Sequence, residues 1–263
     1  MCIERPCSPE RPTGPDGVKY LFGVPLHALT MEQVLDRVDE AIAHRERLLI
    51  GVVNAAKLVN MTRDPALRRA VLDANMILAD GMSVVWASRL LRQRLPERIA
   101  GIDLMLAMLD RGQRMGRRVY CLGASQEVLD AAVARMVAWY PGIVIAGRRH
   151  GYFDVSEEAE IAAEIRASRA DILLVAMTSP KKEEFLARWF RHIEVPVCHG
   201  VGGSFDVLAG KVRRAPKSWQ RLGLEWLYRV VQEPRRMWRR YLVTNTLFCG
   251  MLLRELSGRE LAK

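Results

Sequence analysis

Hydrophobic positions along this chain fall into two kinds of segment. Six short runs, 48–53 (LLIGVV), 76–79 (MILA), 118–122 (RVYCL), 143–147 (IVIAG), 171–177 (DILLVAM) and 195–201 (VPVCHGV), are apolar without polar alternation. Runs of this kind suit strands covered on both faces, as in a parallel sheet. Between them lie stretches of helical length. Thr30 with Gln33 three residues on predicts a capped helix start, and Asp64-Pro65 predicts a cap followed by a first-turn proline. Further helices are expected over 101–115, 125–140, 156–168 and 180–193. Strand–helix alternation predicts an α/β fold with a Rossmann-like, mostly parallel sheet and flanking helices. Such sheets bind ligands beyond the carboxyl ends of their strands, so chemistry is sought in the residues just after each run.

After residue 207 the pattern changes. Trp219, Leu222, Trp226, Leu227, Val230 and Val231 form one apolar stripe at helical spacing, with Arg221, Glu225, Arg229 and Gln232 on the other side. Pro234 stops or kinks that helix, and a second amphipathic segment carries Trp238, Tyr241, Leu242 and Leu247. The charge follows the same division. The 263 residues carry a net charge of +10, yet residues 1–210 are nearly balanced, with 27 Lys/Arg against 26 Asp/Glu. Residues 211–263 hold 13 Lys/Arg and only 4 Asp/Glu. Three regions are therefore expected: a Pro-rich leader over 1–17, an α/β domain over 18–210 and a basic amphipathic helical appendage over 211–263. Basic helices with Trp and Leu opposite the charges suit the surface of an anionic membrane. A solvated basic face, or a Trp stripe packed on the protein's own core, would give the same pattern.

Composition removes several classes. A chain that is half hydrophobic and 27% charged is neither disordered nor polytopic. The first residues lack the apolar core of a signal peptide, and 241–253 is too short and too polar to span a bilayer. Five cysteines without a CxxC spacing indicate neither a disulfide framework nor a zinc site, and Cys121 and Cys198 read as small buried hydrophobes.

Four strand-end segments could carry chemistry. Asn54 follows the first run and could bond a ligand or cap a turn. Asp80 follows MILA and precedes a helix starting near Ser83, where a carboxylate could serve as a general base or as a cap. Arg98 could clamp a phosphate, with Asp103 as a structural cap. The turn from His199 to Asp206, with Gly202, Gly203 and Ser204, exposes backbone N–H groups suited to an anion. It completes neither GxGxxG nor the P-loop pattern, which weakens an NAD-dependent reading. HExxH, a Cys/His cluster and D-x-D are all missing, so neither a metal nor a cofactor is expected. A phosphate leaving group would then be neutralised by Arg, Lys and backbone N–H. His150 reads as structural. A non-enzymatic α/β protein binding nucleic acid or membrane is the alternative, although no helix-turn-helix signature supports nucleic acid.

Several strings together, VVNAAKLV, ADGMSVVWASRLL, ERIAGIDL, HGYF, TSPKKE and GVGGSFDVLAGKVRRAPKSWQRLGLEWLYRVVQEPRR, resemble the WecG/TagA/CpsF glycosyltransferases (glycosyltransferase family 26) from about Val18 to Tyr241. The resemblance implies a metal-independent, inverting transfer of a hexose or N-acetylhexosamine from a UDP-sugar to a polyprenyl-diphosphate-linked saccharide. It implies a peripheral place on the cytoplasmic face of the bacterial plasma membrane, in exopolysaccharide or related surface-polymer assembly. Nucleic acid would not be a partner, and an oligomer stays open. By resemblance Asp80 is the base and Arg98 a catalytic cation, while Arg229, Arg236 and Arg239 of the appendage fold over the site. Asn54, Lys182, Gly202, Gly203 and Ser204 complete the expected substrate contacts. Two departures bear on the donor sugar: Lys182 stands where the family pattern has Gln, and Val52 where it has Thr.

Overall fold

The computed structural model describes residues 17–258, so all of the expected leader except Gly17 lies outside the described residues. All six apolar runs are strands. They are β3 (Leu48–Val53), β4 (Met76–Ala79), β5 (Arg118–Gly123), β6 (Val144–Arg149), β7 (Ile172–Ala176) and β8 (Val197–Gly200). A hairpin, β1 (Val18–Leu21) with β2 (Val24–His27), precedes them. The six strands form one parallel sheet in the order β4-β3-β8-β7-β5-β6.

The missing alternation in five of the apolar runs has a simple cause: both faces of the sheet are covered there, whereas the edge strand β6 has no buried residue. Along β7, Ile172, Leu174 and Ala176 enter the core under α1 (Met31–Ala43), α5 (Gly101–Gln113) and α6 (Gln126–Trp139). Leu173 and Val175 enter the opposite core under α7 (Glu158–Ala167) and α8 (Lys181–Ile193). Period-two geometry is present but both halves of the period are hydrophobic. The caps also form as expected. Thr30 and Gln33 make a reciprocal capping box on α1, and the Asp64 carboxylate caps α3 (Pro65–Leu72) at Ala66 and Leu67. Cys121 and Cys198 are fully buried, and burial pushes the Cys121 thiol up to about 12, which makes it inert.

A third core cluster gathers the hairpin, α2 (Ala55–Met61), α3 and α4 (Met82–Leu90) around the β4 edge. The His27 ring accepts a hydrogen bond from the Ile77 amide at 3.1 Å, which satisfies an edge donor of β4. The C-terminal segment forms α10 (Lys217–Arg221), α11 (Glu225–Gln232) and α12 (Pro234–Leu256) after the short α9 (Ser204–Leu208). The stripe from Trp219 to Val231 predicts one helix, but the structure breaks it at Gly223. There φ is +67°, and a Cβ would come 2.8 Å from the Trp86 ring and 2.9 Å from Met82 Cβ. Close docking on α4 requires a residue without a side chain in the left-handed region. Pro234 opens α12 as its first residue.

The appendage is half solvent-facing and half core. Trp238 and Leu242 are exposed, whereas Phe248 and Met251 are buried in the cluster around α2. Phe248 meets Phe22 of the hairpin edge to face, with centroids 5.4 Å apart. Among the described residues no helix is long and apolar enough to cross a membrane. Phe248→Ala is expected to cost about 3–5 kcal/mol of stability in chemical denaturation. Leu253→Ala, on the exposed side of the same helix, should change it by less than about 0.5 kcal/mol.

Candidate active site

Parallel pairing places all six carboxyl ends at one rim of the sheet. Four adjacent strands, β4, β3, β8 and β7, lead respectively to Asp80, Asn54, the Gly202-Gly203 turn and Lys182. Asn54 is the N-cap of α2, its side-chain oxygen accepting from the Lys57 amide at 3.0 Å. Its amide nitrogen faces Asp80 Oδ2 at 3.5 Å.

Asp80 is half-buried, with its own amide bonded to the Val53 carbonyl at 2.9 Å. The residue that caps α4 is Gly81, so Asp80 does not cap the helix that follows it. Its Oδ1 instead accepts the Gly101 amide, the first N–H of α5, at 3.1 Å. An anion is stabilised there, because the first amides of a helix lack internal partners and carry its positive end. Oδ1 is thus engaged in a full hydrogen bond, and Oδ2 has one long contact. Of the two oxygens, Oδ2 is the one able to take a proton from an incoming hydroxyl.

Behind this carboxylate lies a buried charged trio. Glu183 Oε1 accepts from Lys57 Nζ at 2.8 Å and from Lys182 Nζ at 2.9 Å, with all three side chains at most 12% exposed. Burial pushes the Glu183 carboxyl up, and the two ammonium groups outweigh it and hold the group at about 2. Burial and the neighbouring Lys57 push Lys182 down, opposed by Glu183 and Asp80. The Lys182 stem lies across the end of β8, where a Cβ on Gly200 would come within 3.0 Å of its Cε. Glu183 Oε2 is buried without a partner.

Arg98 leaves the segment whose Ile99 amide bonds Ala79 at the end of β4. It does not stand free. Its guanidinium binds Glu225 of α11 in a very short contact and Asp103 at 3.2 Å. Arg214, from the appendage, binds the same Asp103 oxygen at 2.7 Å and lies 4.0 Å from Glu225. Asp103 is therefore an ion-pair partner, not the structural cap its position suggests. Arg229 and Arg239 are exposed on α11 and α12, and the side chain of Arg236 lies outside those described. Among the described residues, an appendage arginine paired with the carboxylates at Arg98 is Arg214. In the glycine turn, nothing comes within 4 Å of where a Gly202 Cβ would sit and only Asp206 lies near Gly203, at 3.8 Å. Ser204 is buried with its hydroxyl donating to the Val201 carbonyl at 2.6 Å.

Sequence reasoning misses Arg214, Glu225, Lys57 and Glu183 as members of this region, and takes His199 only as the start of the glycine turn. Glu225 and Lys57 look like ordinary residues of helix faces. His199 carries the one available signal, a polar residue inside an otherwise apolar strand.

A rim carboxylate with one oxygen in a full hydrogen bond and the other in a single long contact is the class of group that can serve as a base, and similarity to known proteins says in which kind of enzyme it stands. The chain belongs to the WecG/TagA/CpsF family of glycosyl transferases, whose model matches residues 19–261. It is 39% identical over 198 residues to an N-acetylglucosaminyldiphosphoundecaprenol N-acetyl-beta-D-mannosaminyltransferase of Bacillus spizizenii, covering 75% of this chain and 76% of the relative.

The trio makes stability depend on acid. Glu183 is held at about 2 against an ordinary value of 4.5, so its contribution is complete above pH 4.5 and lost as pH falls toward 2. That contribution is about 3 kcal/mol at most. Glu183→Gln should lower stability at neutral pH and flatten the stability profile between pH 5 and 2, measured by denaturant unfolding.

Proposed function

We propose that this glycosyltransferase moves a hexosyl or N-acetylhexosaminyl group from a UDP-sugar to a saccharide on polyprenyl diphosphate, by a single inverting displacement that uses no metal. The observation that carries the reading is the Asp80 carboxylate at the strand rim, with Oδ1 fixed by the Gly101 amide and Oδ2 turned to the Asn54 side. Asp80 Oδ2 takes the proton from the acceptor hydroxyl as that oxygen attacks the anomeric carbon. The glycosidic bond pair leaves with UDP. Arg98 and Arg214 stabilise the charge that develops on the diphosphate, a term worth about 3 kcal/mol or more per well-aimed donor. For this the two guanidinium groups must exchange carboxylate partners for phosphate oxygens, which match their geometry.

The acceptor is inferred from the Bacillus relative, whose name specifies a lipid-linked N-acetylglucosamine. An acceptor carried in a membrane calls for an enzyme held at its surface. Exposed Trp226, Trp238 and Leu242 beside exposed Arg229, Arg235 and Arg239 support such a contact. The cytoplasmic face is the side where UDP-sugars are available.

Incubation with N-acetylglucosaminyl-diphosphoundecaprenol and a panel of UDP-sugars should give transfer from at least one donor with inversion at the anomeric centre. Transfer from none of them would sink the reading. Asp80→Asn should lose two to four decades of kcat, in keeping with removal of a positioned base of about 10²–10⁴-fold effect, while the melting temperature stays close to that of the parent. In co-sedimentation, vesicles containing anionic lipid should retain the protein and neutral vesicles should retain less. Replacing both Trp238 and Leu242 by Ser should weaken retention at least severalfold.

A further inference from the structure

Among the described residues, a further buried titratable group at the rim is His199. It is fully buried at the end of β8, in the centre of the sheet. Its Nε2 lies 3.0 Å from the Gly101 carbonyl oxygen and its Nδ1 lies 3.4 Å from the Ile50 carbonyl oxygen. Burial pushes the imidazole below its ordinary value, so the ring is neutral and has one N–H to offer two acceptors. Nε2 makes the shorter contact of the two. His199 then grips the carbonyl of the residue whose amide holds Asp80 Oδ1 at 3.1 Å.

We propose that His199 is a positioning residue for Asp80, acting through Gly101. The proposal rests on the reading of Asp80 as the base and deepens it. The Nε2–H bond fixes the first residue of α5 against the end of β8, and that residue aims its amide at the carboxylate. The two ends of Gly101 are thus held by two strand ends, β8 through His199 and β4 through Asp80. Without the imidazole donor the Gly101 carbonyl loses its tie to β8, the start of α5 can shift by a fraction of an ångström, and the amide that aims at Oδ1 shifts with it. Oδ2 then no longer meets the acceptor hydroxyl in one orientation. His199 touches no substrate in this scheme, so it changes the rate of the chemical step more than the binding of the donor.

The test is a cycle of substitutions in the full-length protein, with kinetics on the lipid-linked acceptor. His199→Phe removes the donor at similar volume and should lower kcat about ten- to a hundredfold, the scale expected when a reacting group is misplaced by a fraction of an ångström to one ångström. KM for the donor should stay within about twofold, because uniform binding is untouched. His199→Gln, whose amide can reach the same carbonyl, should recover most of the lost rate. In an Asp80→Asn background His199→Phe should cost almost nothing further, since the group it positions is no longer a base. An equal loss in both backgrounds, or a kcat unchanged by His199→Phe beside an inactive Asp80→Asn, would overturn this proposal alone. Full turnover by Asp80→Asn would overturn the base reading and this proposal with it. A measurement on the unsubstituted protein guards against a variant that does not fold. ¹⁵N-resolved NMR of the histidine side chains should find His199 neutral with the proton on Nε2 at pH 7, and a proton on Nδ1 would refute the proposal.

Discussion

The bond from the Gly101 amide to the Asp80 carboxylate is the point where backbone geometry and charge meet. A carboxylate at a sheet rim would ordinarily be a mobile, hydrated group. Here it accepts the first amide of a thirteen-residue helix, which uses one oxygen and leaves the other. The same bond ties α5 to the end of β4, since Asp80 continues directly from that strand and the Ile99 amide adds a second tie at Ala79. Strand, loop and helix are therefore oriented by the group that the proposed chemistry uses. A shift of that helix would disturb the core under α1 and α6 as well as the carboxylate.

Charge elsewhere at the rim is arranged by the same economy of partners. Lys57, Lys182 and Glu183 come from helices that follow different strands, and two ammonium groups share a single carboxylate oxygen. The trio keeps an excess positive charge beside Asp80 without leaving either lysine alone in a low-dielectric setting. Arg98, Asp103, Arg214 and Glu225 make a second, nearly neutral group that joins the body to the appendage. The basic surplus of the last 53 residues is thus only partly surface. Arg214 pairs with Asp103 of the body, and Glu225, one of the few acids in those residues, receives Arg98.

Five of the strands were legible because burial on both faces, which the edge strand β6 lacks, leaves an unmistakable apolar run, and the helix starts because capping is local: Thr30 with Gln33, and Asp64 with Pro65. Asp80 was legible from its place after a strand. Its partner was not, because Gly101 lies 21 residues away, and the choice between capping α4 and capping α5 depends on where the chain returns. The Lys57–Glu183 pair spans 126 positions and the Arg98–Glu225 pair 127, separations at which sequence pattern carries no signal. The β1–β2 hairpin leaves little signal in the sequence because its strands are four residues each, with Pro25 in the second. The break at Gly223 is a tertiary effect, set by Trp86 across the interface, so the helical stripe through Trp219 and Val231 could not reveal it.

Helix α12 has a consequence of a different kind. Its far end is sealed into the molecule by Phe248 and Met251, and it packs along α2, whose cap is Asn54. Its near end presents Trp238 and Leu242 outward. One helix of 23 residues therefore runs from an outward-facing surface to a buried anchor against α2, the helix that follows Asn54. On the proposed membrane contact this helix works as a goniometer: it sets the tilt of the sheet against the surface from which the proposed acceptor comes.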